Sequence, residues 1–297
     1  MYLRKALSVA LCVVAVAAAT VALTGCAAKT GAGAWGDLDT GLVLEYRMSS
    51  GDDMSYRFTS DSVQTMEIQG QSVLVESAEV LSFSVEPKGA KDGDHALGIT
   101  IDALTVTVSS PKGEIEADTE SVVGESFDMT LSKLGAEGGL PDPDALQYTI
   151  EPEGPKSIIT GFGVMFADLP EGPITIGDTW PATLEIVEQS DASNVVITIN
   201  AVNTLEGFET VDGLECAKMT AVLTGTIEGE GTQQGVTWTM LSDMDGSGTW
   251  YFAYKEGILV SDVTEGTADG AIVVHAPSGE MTMPVTREYS MIVELEK

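Results

Sequence analysis

Alternation of apolar and polar residues is the feature that most restricts how this chain of 297 residues can fold. In the run 126–134, Phe127, Met129 and Leu131 alternate with polar residues. A period of two is that of a β-strand, whose successive side chains point to opposite faces. We therefore expect a mostly β protein in which one face of each strand is turned toward a core.

Two other runs in the first half of the chain, 72–86 and 96–108, alternate in the same way. Ser77 and Glu79 interrupt the apolar face of the first run, which otherwise consists of Val73, Val75, Leu81, Phe83 and Val85. In the second run the apolar residues change parity part-way along. Such a change predicts a β-bulge near Ala103.

Longer strands are predicted after Pro173, over 181–189, 194–206, 214–228, 236–254, 258–274 and 280–296. Turn signals separate several of them: Val211-Asp212-Gly213, Gly229-Glu230-Gly231, Lys255-Glu256-Gly257 and Pro277-Ser278-Gly279. Long antiparallel strands joined by tight turns form a meander, which curls because sheets twist. We therefore expect long antiparallel meander strands that form a barrel or half-barrels, which also hides strand edges.

One segment breaks the strand rhythm. Apolar residues fall at helical spacing there, namely Ile158, Ile159, Phe162, Met165, Phe166 and Leu169. Because Pro170 follows, the pattern predicts a short amphipathic helix over 156–168. Gly161 and Gly163 weaken a helix, so a buried strand is the alternative.

The amino terminus has the organisation of a secretory signal peptide. Arg4 and Lys5 form a short positive head, and the apolar stretch 6–23 follows. That stretch is nearly long enough to span a bilayer, so an uncleaved membrane anchor is the alternative reading.

The tetrapeptide Leu23-Thr24-Gly25-Cys26 resembles the bacterial lipobox, in which the leader is cut just before the cysteine. The resemblance implies diacylglycerol on the Cys26 thiol and often a further acyl chain on its amino group. Two chains suffice for stable anchoring to a membrane. We therefore expect an exported lipoprotein on the extracytoplasmic face of the cell membrane.

These features divide the chain into five parts. The leader is 1–25, and a lipidated, flexible tether follows at 26–36. A β-rich half at 37–155 and another at 170–297 are joined by the linking helix segment 156–169. The sequence leaves open whether the halves form one sheet or two domains.

Charge and cysteine content restrict the partners. The formal charge of −32 becomes −34 without the leader, because Arg4 and Lys5 leave and no Asp or Glu does. This balance excludes nucleic acid and disfavours docking on anionic lipid, since both need basic patches. We interpret the charge as favouring solubility; a high-salt habitat or weak collection of divalent cations is the alternative. With Cys12 removed and Cys26 lipidated, Cys216 has no partner for a disulfide, and we expect it to be buried.

The sequence contains no complete catalytic, metal or cofactor motif. His95 and His275 have no metal-ligand partner at helical or hairpin spacing. Asp39-Thr40-Gly41 matches the tripeptide of aspartic proteases but has no second copy, so we interpret it as a turn. The segment 243–248 resembles a calcium loop but lacks two ligands, which favours a bulge or turn within 236–254. We therefore predict no catalytic residue, no metal and no cofactor.

The stretch 166–180 has a skeleton of Leu169-Pro170, then Pro173, then Gly177-Asp178-x-Trp180. It resembles an uncharacterised family of β-rich bacterial envelope proteins, which implies no chemical site. We interpret Gly177-Asp178 as a turn and Trp180 as an apolar anchor that opens a strand. At fold level the chain also resembles lipid-anchored envelope carriers, whose half-barrel encloses a helix and an apolar cavity for acyl chains.

Two functions remain. We expect a non-enzymatic protein, held to the membrane by its lipid, that binds an apolar small molecule or an envelope protein. The alternative is a hydrolase of envelope glycans that uses two carboxyl groups about 5–9 Å apart. Abundant Asp and Glu are its only motivation.

Overall fold

A computed structural model describes residues 36–38, 41–48, 50–151, 154–189, 193–233, 235–277 and 279–296. The predicted leader, Cys26 and all of the tether except its last residue lie outside the described residues. No helix in the described part of the chain is long and apolar enough to cross a membrane.

The described residues form a mostly β structure, as predicted. In chain order the strands are β1 (Gly36–Asp37), β2 (Gly41–Leu42), β3 (Met54–Ile68), β4 (Gln71–Lys91), β5 (Asp94–Ser110), β6 (Gly113–Glu116), β7 (Ser126–Leu131), β8 (Glu137–Gly138), β9 (Gln147–Ile150), β10 (Gly154–Ser157), β11 (Thr179–Gln189), β12 (Ser193–Val211), β13 (Leu214–Gln233), β14 (Val236–Ala253), β15 (Ile258–Ala276) and β16 (Gly279–Glu296). Two short 3-10 helices cover Pro143–Ala145 and Ile159–Gly163.

One antiparallel sheet of twelve strands contains both halves of the chain. Its order is β11-β12-β13-β14-β15-β16-β3-β4-β5-β7-β8, with β6 paired to β5. The last strand, β16, pairs with β3 over Val285–Glu296, and this pairing joins the two halves. The strands of the two halves therefore form one continuous sheet, a point that the sequence left open.

Tight turns set the register of the long hairpins. Both central residues have positive φ in three two-residue loops, Gln69-Gly70, Asp92-Gly93 and Asp212-Gly213. This is the geometry of a type I′ turn, whose twist matches that of the flanking strands. The bulge predicted near Ala103 is confirmed, because Ser82 pairs with Ala103 while Phe83 pairs with Ile101.

Two local predictions differ from the structure. Gly229-Glu230-Gly231 is not a turn but part of β13. A Cβ at Gly229 would lie 3.1 Å from the Trp238 ring, so the glycine makes room for that ring. The helix predicted over 156–168 is reduced to Ile159–Gly163, and the residues before it form β10. Gly161 and Gly163 lower helix propensity there, and the one short turn that remains buries Phe162.

Apolar side chains collect on one face of the sheet, which we call the inner face. Along β14, Trp238, Met240, Trp250 and Phe252 are buried on this face. They belong to two apolar clusters at opposite ends of the strands. The first cluster, which contains Phe252, is covered by the extended segment 41–48 and by Phe162. The second, which contains Trp238, consists only of strand residues from β3, β4 and β11–β16.

The sheet is rolled. Glu188 on the first strand, β11, interacts electrostatically with Glu79 on the eighth, β4. In a flat sheet these strands would be about 34 Å apart, at about 4.8 Å per strand. The strand β11 therefore returns toward β4, as the expected barrel or half-barrel requires. Glycines permit this curvature, since a Cβ at Gly266 would lie 2.6 Å from the Tyr289 hydroxyl.

A seam runs between the two strands. The pairings of the described residues include none between β11 and β4, and β4 pairs with β5 only from Glu76 onward. Residues 71–75 of β4 and the outer edge of β11 therefore form the two sides of the seam.

Candidate functional site

Both histidines singled out in the sequence have a hydrogen-bonding neighbour within the fold. His95 is buried in β5, and its Nε2 lies 2.7 Å from the carbonyl oxygen of Tyr46. His275 in β15 lies 3.0 Å from a carboxylate oxygen of Glu280. Within the described ranges, no three His, Cys, Asp or Glu side chains are grouped as a metal ion requires.

The segment 243–248 is regular strand, paired with both β13 and β15. The irregularity predicted within 236–254 occurs instead between Tyr251 and Phe252, where the register shifts. Asp39 and Thr40, the first two residues of the protease-like tripeptide, lie outside the described residues.

Cys216 is buried, as predicted, in a small cluster with Ala253 and Val260. Burial raises the pKa of its thiol to about 11, so the thiol is protonated at neutral pH.

The Gly-Asp-x-Trp motif has the predicted packing role. Gly177 has a φ of +93°, and the Asp178 carboxylate accepts hydrogen bonds from the backbone and the hydroxyl of Thr175 at 2.7 and 2.9 Å. Trp180 is buried at the start of β11 and donates from Nε1 to the Asp168 carbonyl oxygen at 3.0 Å. Its ring packs edge-on against Trp250. The motif thus anchors β11 to the sheet.

Between the two apolar clusters the inner face carries polar side chains. We call six of them the polar band: Ser62, Gln64, Ser77, Glu79, Glu188 and Arg287. The strand alternation turns all of them to the same side as the apolar clusters. Such groups are costly to bury unless they find partners.

Arg287 is the most unusual member of the polar band. Its side chain is only 4 % exposed, and Nη2 donates to the Ser62 hydroxyl at 3.3 Å. The Ser62 and Ser77 hydroxyls are 3.0 Å apart. Nε of Arg287 is buried without a hydrogen-bond partner. None of the ion pairs in the described part of the chain includes this guanidinium.

Burial shifts the pKa values of two charged residues in the polar band, Glu79 and Arg287. Burial, and then the nearby Glu188 carboxylate, raise the pKa of Glu79 to about 7. Burial lowers the pKa of Arg287 to about 10 while Glu188 opposes the change, so Arg287 is positively charged at neutral pH. Glu79 is partly exposed by surface area although protein surrounds it, so its carboxyl group is not fully sealed from solvent.

Partly exposed apolar side chains line the seam beside the polar band. They are Val73 and Val75 on β4, and Leu184 and Ile186 on β11. A concave, mostly apolar surface with a few convergent polar groups is typical of small-molecule sites. The polar band and the seam together are therefore the candidate functional site.

Two further carboxyl groups are enclosed outside this site. Burial raises the pKa of Glu137 to about 7, and the carboxylate accepts a hydrogen bond from the Phe166 backbone at 2.9 Å. Burial also raises the pKa of Asp262 to about 6, and Thr264 donates to it at 3.3 Å. Both groups have partners within the fold, which favours a structural role.

The sequence contained a signal for this site. Ser77 and Glu79 interrupt an apolar face, and Arg287 occupies an apolar parity between Val285 and Tyr289. Alternation alone identifies the first pair only as an interruption and does not single out Arg287. Which interruptions meet depends on non-local pairing, which alternation does not show.

No protein-family model matches the chain, and no curated protein matches it either.

Proposed function

We propose that the protein is a non-enzymatic lipoprotein of the bacterial envelope, anchored through Cys26, whose rolled sheet binds an apolar or amphipathic small molecule. The observation that carries the binding proposal is the seam, where partly exposed apolar side chains lie next to the polar band. The lipobox-like tetrapeptide supports the anchor. An envelope protein that pairs with the edge of β11 is the alternative partner.

The anchor is tested by intact mass spectrometry of the protein purified from a bacterial host. We expect a mature chain that begins at Cys26 and carries a diacylglyceryl group with or without a third acyl chain. Cys26→Ser is the control and should remain unlipidated. An unmodified wild-type amino terminus would remove the anchor from the proposal.

Ligand binding is tested with the full chain in a non-ionic detergent, by native mass spectrometry and by analysis of the lipids extracted from it. We expect a non-covalent apolar molecule on the wild type. Ile186→Asp places a charge in the seam and should abolish binding. Val187→Asp, on the outer face of the same strand, is the matched control and should retain it. Equal binding by both variants would place the ligand elsewhere.

A carboxylate hydrolase is the second candidate, and Glu79 with Glu188 is the pair that favours it. A carboxyl group with a raised pKa beside a second carboxylate is the arrangement that glycosidases use. Incubation of the full chain with purified cell-wall glycan should then release reducing ends, and Glu79→Gln should prevent this. Absence of wild-type release between pH 5 and 8 would reject this candidate.

A further inference from the structure

We infer that the ligand of this site is a long-chain carboxylic acid, with its carboxyl group at Arg287 and Ser62 and its chain along the seam. This inference rests on the proposed binding function and adds the chemical class of the ligand.

The unpaired donor of Arg287 is the first argument. A buried polar group without a partner is destabilising, and more so when it is charged. Arg287 Nε is such a donor, and Nη2 has only a 3.3 Å contact to a neutral hydroxyl. A carboxylate offers two acceptor oxygens in the plane of a guanidinium and forms shorter, stronger hydrogen bonds with it.

The charges around Arg287 favour a carboxyl group over a phosphate. The titratable groups that interact with Arg287 are Glu188 and Tyr289, and Glu188 also interacts with Glu79. A phosphate brings up to two negative charges near the two glutamates, whereas a carboxylic acid brings one or none. Glu79 also accepts a proton readily, which lowers the repulsion when the ligand is ionised.

The surroundings of Arg287 suit an acyl chain. Its cross-strand neighbour on β3 is Gln64, and the next residue in that row is Val75 at the seam. Along β16 the neighbour on the same face is Val285, which belongs to the second apolar cluster. An acyl chain that starts at Arg287 therefore reaches partly exposed apolar side chains within two strands.

The test compares oleate with oleyl alcohol, which has the same chain and an uncharged head group. Both are added to the full chain in a non-ionic detergent, and affinity is measured by native mass spectrometry. The wild type should bind oleate at least about tenfold more tightly than oleyl alcohol, as a charged hydrogen bond predicts. Arg287→Met should abolish this preference and still bind oleyl alcohol. Arg57→Met, which removes an exposed arginine on β3, should keep the preference.

Each outcome has one meaning. If the wild type binds both ligands equally, the carboxyl assignment is overturned and the binding function stands. If it binds neither, the proposed function itself fails. If Arg287→Met binds nothing, Ser62→Ala decides, because it keeps the guanidinium and removes one hydroxyl, which contacts Arg287 and Ser77. A reduced preference for oleate supports the inference, and an unchanged preference overturns it.

Discussion

Replacement of Glu79 by Gln should stabilise the protein in a strongly pH-dependent way. The pKa of Glu79 rises from an ordinary value of 4.5 to about 7, chiefly because of burial. The folded state therefore holds this proton more tightly than the unfolded state, and stability is lost as the pH rises from 4.5 through 7. Each pKa unit corresponds to about 1.4 kcal/mol, so ionised Glu79 costs about 2–3 kcal/mol after allowance for partial solvent access.

Glutamine resembles the protonated side chain and does not ionise. The variant should match the wild type near pH 4.5 and exceed its free energy of unfolding by about 2–3 kcal/mol at pH 8.5. Urea unfolding followed by tryptophan fluorescence between pH 4.5 and 8.5 measures this difference, and the carboxylates that do not interact with Glu79 contribute equally to both proteins. Glu76→Gln, exposed on the same strand, should change stability little. A difference that does not vary with pH would refute the enclosure of Glu79.

Three other expectations concern the fold. Gly266→Ala should lower the free energy of unfolding by about 1–3 kcal/mol, since its Cβ would lie 2.4 Å from the Asp245 carbonyl oxygen. Gly207→Ala, with no atom within 4 Å, is the control, and equal urea midpoints would contradict the close approach. Cys216 should react with a thiol reagent only at the rate of unfolding, because it is buried with a raised pKa; rapid labelling of the native protein would show otherwise. Trp180→Ala should destabilise by about 3–5 kcal/mol in thermal unfolding, and a loss below 1 kcal/mol would argue against its anchoring role.

Local pattern was sufficient for most of the secondary structure. The strands predicted after Pro173 agree with β11–β16 to within a few residues, except that β12 and β13 extend further. The bulge near Ala103 and the turn at Asp212-Gly213 were also predictable, because parity changes and residues that tolerate positive φ are encoded within a few positions. The strand β3, with its many Ser and Thr, was not identified because polar residues occupy much of its inner face.

The candidate site was not accessible to the same reasoning. The three charged residues of the site are far apart in the chain, since Glu79 is more than a hundred residues from both Glu188 and Arg287. They come together only because β16 pairs with β3 and the sheet then rolls. Alternation states which face a side chain occupies but not which strands become neighbours, since pairing and curvature arise from packing over the whole sheet. The amino-acid order therefore sufficed for strands, turns and the inward face, whereas the meeting of these three charges required the assembled sheet.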